Sequence, residues 1–186
     1  MNLPDLKKAR LRTKGEVKFL NAKNIKSDKF KDKKYFIRTY GCQMNVHDSE
    51  EIKGILENLG FKETTKVEDS DIVVLNTCAI RENAHDKVFG FLGRLKHLKK
   101  EKPELIICIG GCMPQEESVA NRLKEKYPFV NIVFGTHNIN DLGTMILEAN
   151  KEQQIEVYSI EGNVYENMDY VRDSKYTAWV NIMYGC

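Results

Sequence analysis

The sequence contains no apolar run near the roughly 20 residues that cross a membrane as a helix. Its first residues carry charge with no apolar core behind them, so no secretory signal is expected. It has no C-x-x-C pair, the close ligand spacing usual in structural zinc sites. It has no G-x-G-x-x-G and no P-loop, so nothing in it argues for a nucleotide. Histidine is scarce and scattered, at 47, 85, 97 and 137. With no signal peptide, five cysteines point to a reducing cytoplasm, where thiols serve metals or catalysis rather than disulfides.

The 186 residues suffice for one well-buried domain plus extensions. A composition of 41% hydrophobic and 30% charged residues fits a soluble globular protein. The net charge of +2 hides an uneven distribution. Residues 1–34 hold twelve Lys/Arg against four Asp/Glu; the remainder holds seventeen against twenty-three. A basic arm over 1–33 can touch RNA phosphates, or it is a solvated, partly disordered leader with a short helix at best.

The remaining pattern is repetitive. Tyr35 to Tyr40, Asp71 to Asn76 and Leu105 to Ile109 are β-branched or aromatic runs and read as strands. Each leads into a cysteine: Cys42, Cys78 and Cys112, separated by 36 and 34 residues, about one strand–helix unit each. Helices are expected up to Gly60, over 81–100, from Pro114 to about Lys126, and from Ile139 to Ala149. Ile52, Ile55, Leu56 and Leu59 form the apolar stripe of the first. Asn131 to Gly135 reads as a fourth strand and Ile155 to Tyr158 as a possible edge strand.

The alternation predicts a doubly wound α/β domain over about 34–160, with a mostly parallel sheet of four to five strands and helices on both faces. Residues 161–175 read as an irregular linker. Residues 176–186 read as the first strand of a further domain, ending in Gly185 and Cys186.

In a parallel sheet the loops after successive strands gather at one edge. Cys42, Cys78 and Cys112 are thereby brought together, and three converging thiolates read as a metal or iron–sulfur site. Gly41, Gly110 and Gly111 would let backbone approach an inorganic group, and helix N-termini would favour thiolate. Zinc remains a rival, as does a set of buried cysteines with no shared task. Cys108 lies inside a strand and reads as core packing. His47 and Asp48 could support the Cys42 loop or simply start a helix. Arg81, Glu82 and Asn83 could orient the Cys78 loop or simply cap one.

Three stretches carry a resemblance. They are Tyr40-Gly41-Cys42-Gln43-Met44-Asn45 with Asp48-Ser49-Glu50, the run Asn76 to Ala84, and Gly110-Gly111-Cys112-Met113-Pro114-Gln115. Together they resemble the radical-SAM methylthiotransferases over about 34–186. Gln-Met-Asn after Cys42 and Ala-Ile-Arg-Glu-Asn after Cys78 favour the branch that modifies isopentenyl-adenosine in tRNA. The alternatives are another acceptor, namely threonylcarbamoyl-adenosine or a ribosomal protein, or a docking module that holds zinc or nothing.

The resemblance implies that Cys42, Cys78 and Cys112 hold an auxiliary [4Fe–4S] cluster with one open iron. It implies that Cys186 is the first ligand of a second, radical-SAM cluster, whose other two cysteines are not in this sequence. It further implies S-adenosylmethionine, tRNA and a sulfur donor as cofactor and partners of the full-length protein. A cytoplasmic monomer with no membrane contact is expected, and the chain by itself is expected to lack the full reaction.

Overall fold

Apolar β-branched runs and helical stripes alternate along the chain, and the structure follows that alternation. The computed structural model describes residues 18–80, 82–149, 152–157 and 163–180. In order these form β1 (Lys18–Asn21), β2 (Lys34–Tyr40), α1 (Gln43–Asn58), β3 (Lys62–Glu63), β4 (Ile72–Thr77), α2 (Glu82–Glu101) and β5 (Ile106–Gly111). Then follow α3 (Glu117–Lys126), β6 (Ile132–Phe134), α4 (Leu142–Leu147), β7 (Gln154–Glu156) and β8 (Asn163–Glu166).

Six strands make one parallel sheet in the order β3-β2-β4-β5-β6-β7. Every residue of β4 is buried, as a strand covered on both faces must be. Its side chains alternate. Val73 and Leu75 join Val88, Leu92 and Leu95 of α2 and Leu123 of α3. Ile72 and Val74 join Ile52 and Leu56 of α1 and Leu142 and Ile146 of α4. Each fully buried leucine or isoleucine contributes roughly 1.5–3 kcal/mol over an exposed one. This double core, rather than the separate β1–β8 ribbon, therefore holds the fold.

The structure departs from the sequence reading in five places. The sheet has six strands rather than four or five. The extra one, β3, is two exposed polar residues on the edge beside Lys34 and Tyr35, too short to show periodicity. The helix expected over 139–149 is shorter, because its approach tightens into a 3-10 stretch over Thr136–Asp141.

Residues 18–33 are mostly exposed, yet they hold more structure than a short helix. β1 pairs in parallel with β8, Ile25 and Phe30 pack against the α1–α4 core, and Phe30 stacks on Phe61 at 4.4 Å. Residues 163–173 are not irregular throughout: they supply β8 and then a strap along α1. Of the strand expected near the end, residues 177–180 form none. Residues 1–17 and 181–186, the latter with Cys186, lie outside the described residues. Among the described residues no helix is long and apolar enough to cross a membrane.

Candidate metal centre

Strand register decides where the cysteines go. Tyr40 of β2 pairs with Thr77 of β4, and Thr77 pairs with Gly111 of β5. The three strands therefore end level. Cys42 lies two residues past Tyr40, Cys78 directly follows Thr77, and Cys112 directly follows Gly111. Neighbouring strands are about 4.8 Å apart, so all three cysteines stand at one rim of the sheet, on adjacent strand ends. Cys78 is buried, while Cys42 and Cys112 are partly exposed.

The carbonyl of Thr77 ties the three loops together. It accepts the Cys112 N–H at 2.9 Å and the Asn45 side-chain amide at 3.3 Å. Asn45, at the third position of α1, accepts the Cys42 N–H at 3.1 Å on its Oδ1, which also stands 3.4 Å from Cys42 Sγ. Its Nδ2 also donates to Asn76 Oδ1 at 3.1 Å. Asn76 in turn donates to the Asn45 carbonyl at 2.8 Å and to Ser49 Oγ at 3.0 Å. Asn45, Ser49 and Asn76 are all buried. Buried polar groups are expensive unless bonded, so this network holds the Cys42 loop against the ends of β4 and β5.

The glycines have a different role from the one the sequence invites. A Cβ at Gly41 would stand 2.0 Å from Asn45 Oδ1, and one at Gly110 would stand 2.1 Å from the Phe134 ring. At Gly111, φ is +100° and a Cβ would stand 2.2 Å from the Thr77 carbonyl oxygen. The space beside these glycines is filled by the protein itself.

Among the described residues, no three His, Cys, Asp or Glu side chains gather tightly enough for one metal ion. A single zinc needs every thiolate about 2.3 Å from one point. A multi-iron cluster gives each thiolate its own iron and accepts a wider triangle. Donor type and the shared rim fit that second kind of group.

Cys108 is fully buried in the α1–α4 core, where burial pushes its thiol up. His97 is exposed. Arg81 lies outside the described residues, as do the side chains of Glu82 and Asn83.

His47, Asp48 and Glu51 share α1 just beyond the Cys42 loop. Burial pushes the His47 imidazole down. Burial pushes the Asp48 carboxyl up to about 7. Burial, then repulsion from Asp48, lifts Glu51 to about 7. The folded chain thus holds the Asp48 proton more tightly than the unfolded chain. That stability is fully present below the unfolded value near 4 and is lost as pH rises through about 7. Asp48 alone should make the chain about 2 kcal/mol more stable near pH ~5.5 than near pH ~8. Urea unfolding at both pH values measures this. Asp48→Asn should flatten that component of the profile, and an unaltered profile would mean that burial does not raise this carboxyl.

Sequence reasoning missed Asn45 and Asn76 as site residues. One signal was available: Asn45 and Ser49 continue the stripe of Ile52 and Leu56 on α1, placing polar groups on a buried face.

Residues 34–135 match the family described as "Uncharacterized protein family UPF0004". The chain is also similar to proteins named "tRNA-2-methylthio-N(6)-dimethylallyladenosine synthase". It is 53% identical to those of Bacillus licheniformis and Bacillus subtilis and 49% identical to that of Staphylococcus aureus. Each alignment covers 98% of this chain and 37% of the relative, so the chain spans little more than a third of the length of these curated relatives. The matched segment runs from β2 to the residue after β6 and contains all three rim cysteines. The chain belongs to the UPF0004 family.

Proposed function

We propose that this chain is the sulfur-carrying part of a tRNA methylthiotransferase acting on N6-isopentenyladenosine (dimethylallyladenosine), with Cys42, Cys78 and Cys112 as ligands of an auxiliary [4Fe–4S] cluster. The observation that carries this reading is the level ending of three adjacent strands, each running into one of these cysteines. The names of the relatives support the tRNA substrate and the methylthio group.

When bound, such a cluster supplies one iron not held by the protein, on which sulfur can be carried. The chain's own residues do the rest. Cys78 would hold the cluster from a buried position, and Cys42 and Cys112 from partly exposed ones. Asn45 fixes the Cys42 backbone, and the Thr77 carbonyl fixes that of Cys112.

In this reading residues 34–160 form the sulfur-carrying domain and 161–175 connect it onward. Residues 176–186 open a radical-SAM domain whose cluster begins at Cys186 and which uses S-adenosylmethionine. The full-length protein works as a cytoplasmic monomer with tRNA and a sulfur donor.

Anaerobic reconstitution with iron and sulfide tests the assignment. The chain should take up about four irons and show the broad visible absorbance of a cluster. The Cys42, Cys78 and Cys112 triple alanine variant should take up almost none. Undiminished iron in that variant, or tight zinc with no iron in the parent, would overturn the reading, and the latter would favour a docking module. The acceptor is tested with the full-length protein on tRNA with and without the isopentenyl group.

A further inference from the structure

Besides Asp48, helix α1 carries two charged side chains that are buried although they lie outside the cysteine network. Glu50 is 2% exposed and Lys53 is 7% exposed. Such residues are almost never this deep unless they are paired. An ion taken out of water is tolerated only with good partners. The partners come chiefly from the strap that follows β8.

Arg172 Nη1 donates to Glu50 Oε2 at 2.9 Å, and the Val171 N–H donates to the Glu50 carbonyl at 3.0 Å. Lys53 Nζ pairs with Asp173, and with Glu63 of β3 at 2.9 Å. Burial opposes the Lys53 charge, but its bonds to Asp173 and Glu63 outweigh this and hold the ammonium above the usual lysine range. One turn further along the helix, Asn58 donates to Asp169 Oδ2 at 2.8 Å. Between these contacts, a Cβ on Gly54 would meet the Asp169 carbonyl at 2.1 Å, so only glycine lets the strap lie this close.

Contacts at 50, 53, 54 and 58 stand at i, i+3, i+4 and i+8, which is one face of a helix. That face is shaped and charged for a single segment of this same chain. Arg172 also reaches onward: it stacks on Tyr170 at 4.1 Å and donates to the Trp179 carbonyl at 3.0 Å.

We propose that Glu50, Lys53 and Gly54 form a latch that captures residues 169–173, so that the helix starting at Cys42 also fixes where residues 174–180 leave the sheet domain. The latch itself stands on the contacts above. Its value to the chemistry rests on the proposed function: the same rigid helix would hold Cys42 at one end and the path toward Cys186 along its side. Glu50 and Lys53 are in this sense positioning residues that touch no reacting atom.

Trp179 is the only tryptophan in the chain and is 38% exposed, so its fluorescence reports the latch without iron or tRNA. Acrylamide quenching is measured on the 186-residue chain. Releasing the strap in Arg172→Ala or Glu50→Gln should raise the quenching constant about two- to threefold, the ratio of full exposure to the present value. Arg172→Lys should recover part of the protection, because an ammonium still meets the carboxylate but loses the guanidinium fork.

Arg94→Ala, which removes an ion pair to Glu68 elsewhere on the surface, should change nothing. If Glu50→Gln does not fold by circular dichroism, Arg172→Ala decides alone, since its site lies outside the sheet domain. Unchanged quenching in Arg172→Ala, no recovery with lysine, or an equal rise in Arg94→Ala would each overturn the latch. Because the readout needs no cluster, its failure is distinct from a failure to bind iron.

Discussion

Replacing Gly111 with alanine is expected to remove on the order of 4 kcal/mol of folding stability, a large share of the ~5–15 kcal/mol typical of a domain. Two causes add. The residue sits at φ +100°, where a side chain costs about 1–3 kcal/mol. Its new Cβ would also stand 2.2 Å from the Thr77 carbonyl oxygen and 2.8 Å from the Thr77 nitrogen. Both are backbone atoms of the buried strand β4, which cannot step aside, so overpacking costs a further 1–3 kcal/mol or so.

Relief would require β5 to draw back, which breaks the Cys112 N–H bond to Thr77 and moves Cys112 along the rim. The urea midpoint should fall with its slope unchanged. Gly93→Ala is the matched control. It lies in α2 with nothing near its added Cβ, and alanine there should gain about 0.8–1 kcal/mol. Equal effects at the two positions would refute the claim that the rim is built around Gly111.

The parallel sheet was legible because its strands are unusually pure. Ile72 to Leu75 and Ile106 to Ile109 are unbroken apolar runs, each running on to a cysteine, and only a strand covered on both faces tolerates such a run. The elements that were not legible have their reasons outside their own residues. β3 is Lys-Glu and pairs only because β2 leaves an open edge. β1 and β8 carry no clear alternation and find each other across more than a hundred residues. Residues 169–173 look like a polar linker because their partners, Glu50 and Lys53, look like ordinary surface charges on a helix. No local pattern reveals that two such charges are buried; that follows only once the strap lies over them.

The rim shows the same division. Cysteine and glycine are visible as types, and near-equal spacing after each strand already pointed to neighbouring strand ends. Their support was harder to see. Asn45 looks like a capping residue, and it does accept the Cys42 N–H as one. Its second role, bonding Asn76 and the Thr77 carbonyl, depends on α1 being laid across the end of β4. The local sequence contains the cap, and the tertiary structure adds the link.

That double role makes Asn45→Ala the other costly substitution at the rim. It strips the Cys42 N–H of its acceptor and Asn76 Oδ1 of its donor, while Asn76 stays fully buried. Each partner left unsatisfied costs about 1–3 kcal/mol, so a loss of about 3 kcal/mol is expected in urea unfolding. Thr77 keeps its bond from Cys112, so β4 and β5 should remain aligned and the loosening should be confined to the Cys42 loop.

Alkylation followed by mass spectrometry should then find Cys42 modified several-fold faster, with Cys78 and Cys108 unaffected because both are buried. A double-mutant cycle sharpens the test. In the parent, Gly41→Ala drives a Cβ to 2.0 Å from Asn45 Oδ1 and should be strongly destabilising. In the Asn45→Ala background the amide is gone and only the residue-45 Cβ remains, 2.8 Å from the new methyl, so Gly41→Ala should cost less, a coupling of about 1–3 kcal/mol. Additive losses would mean that Asn45 and Gly41 do not share this space, and that the Cys42 loop is held by something other than the asparagine beneath it.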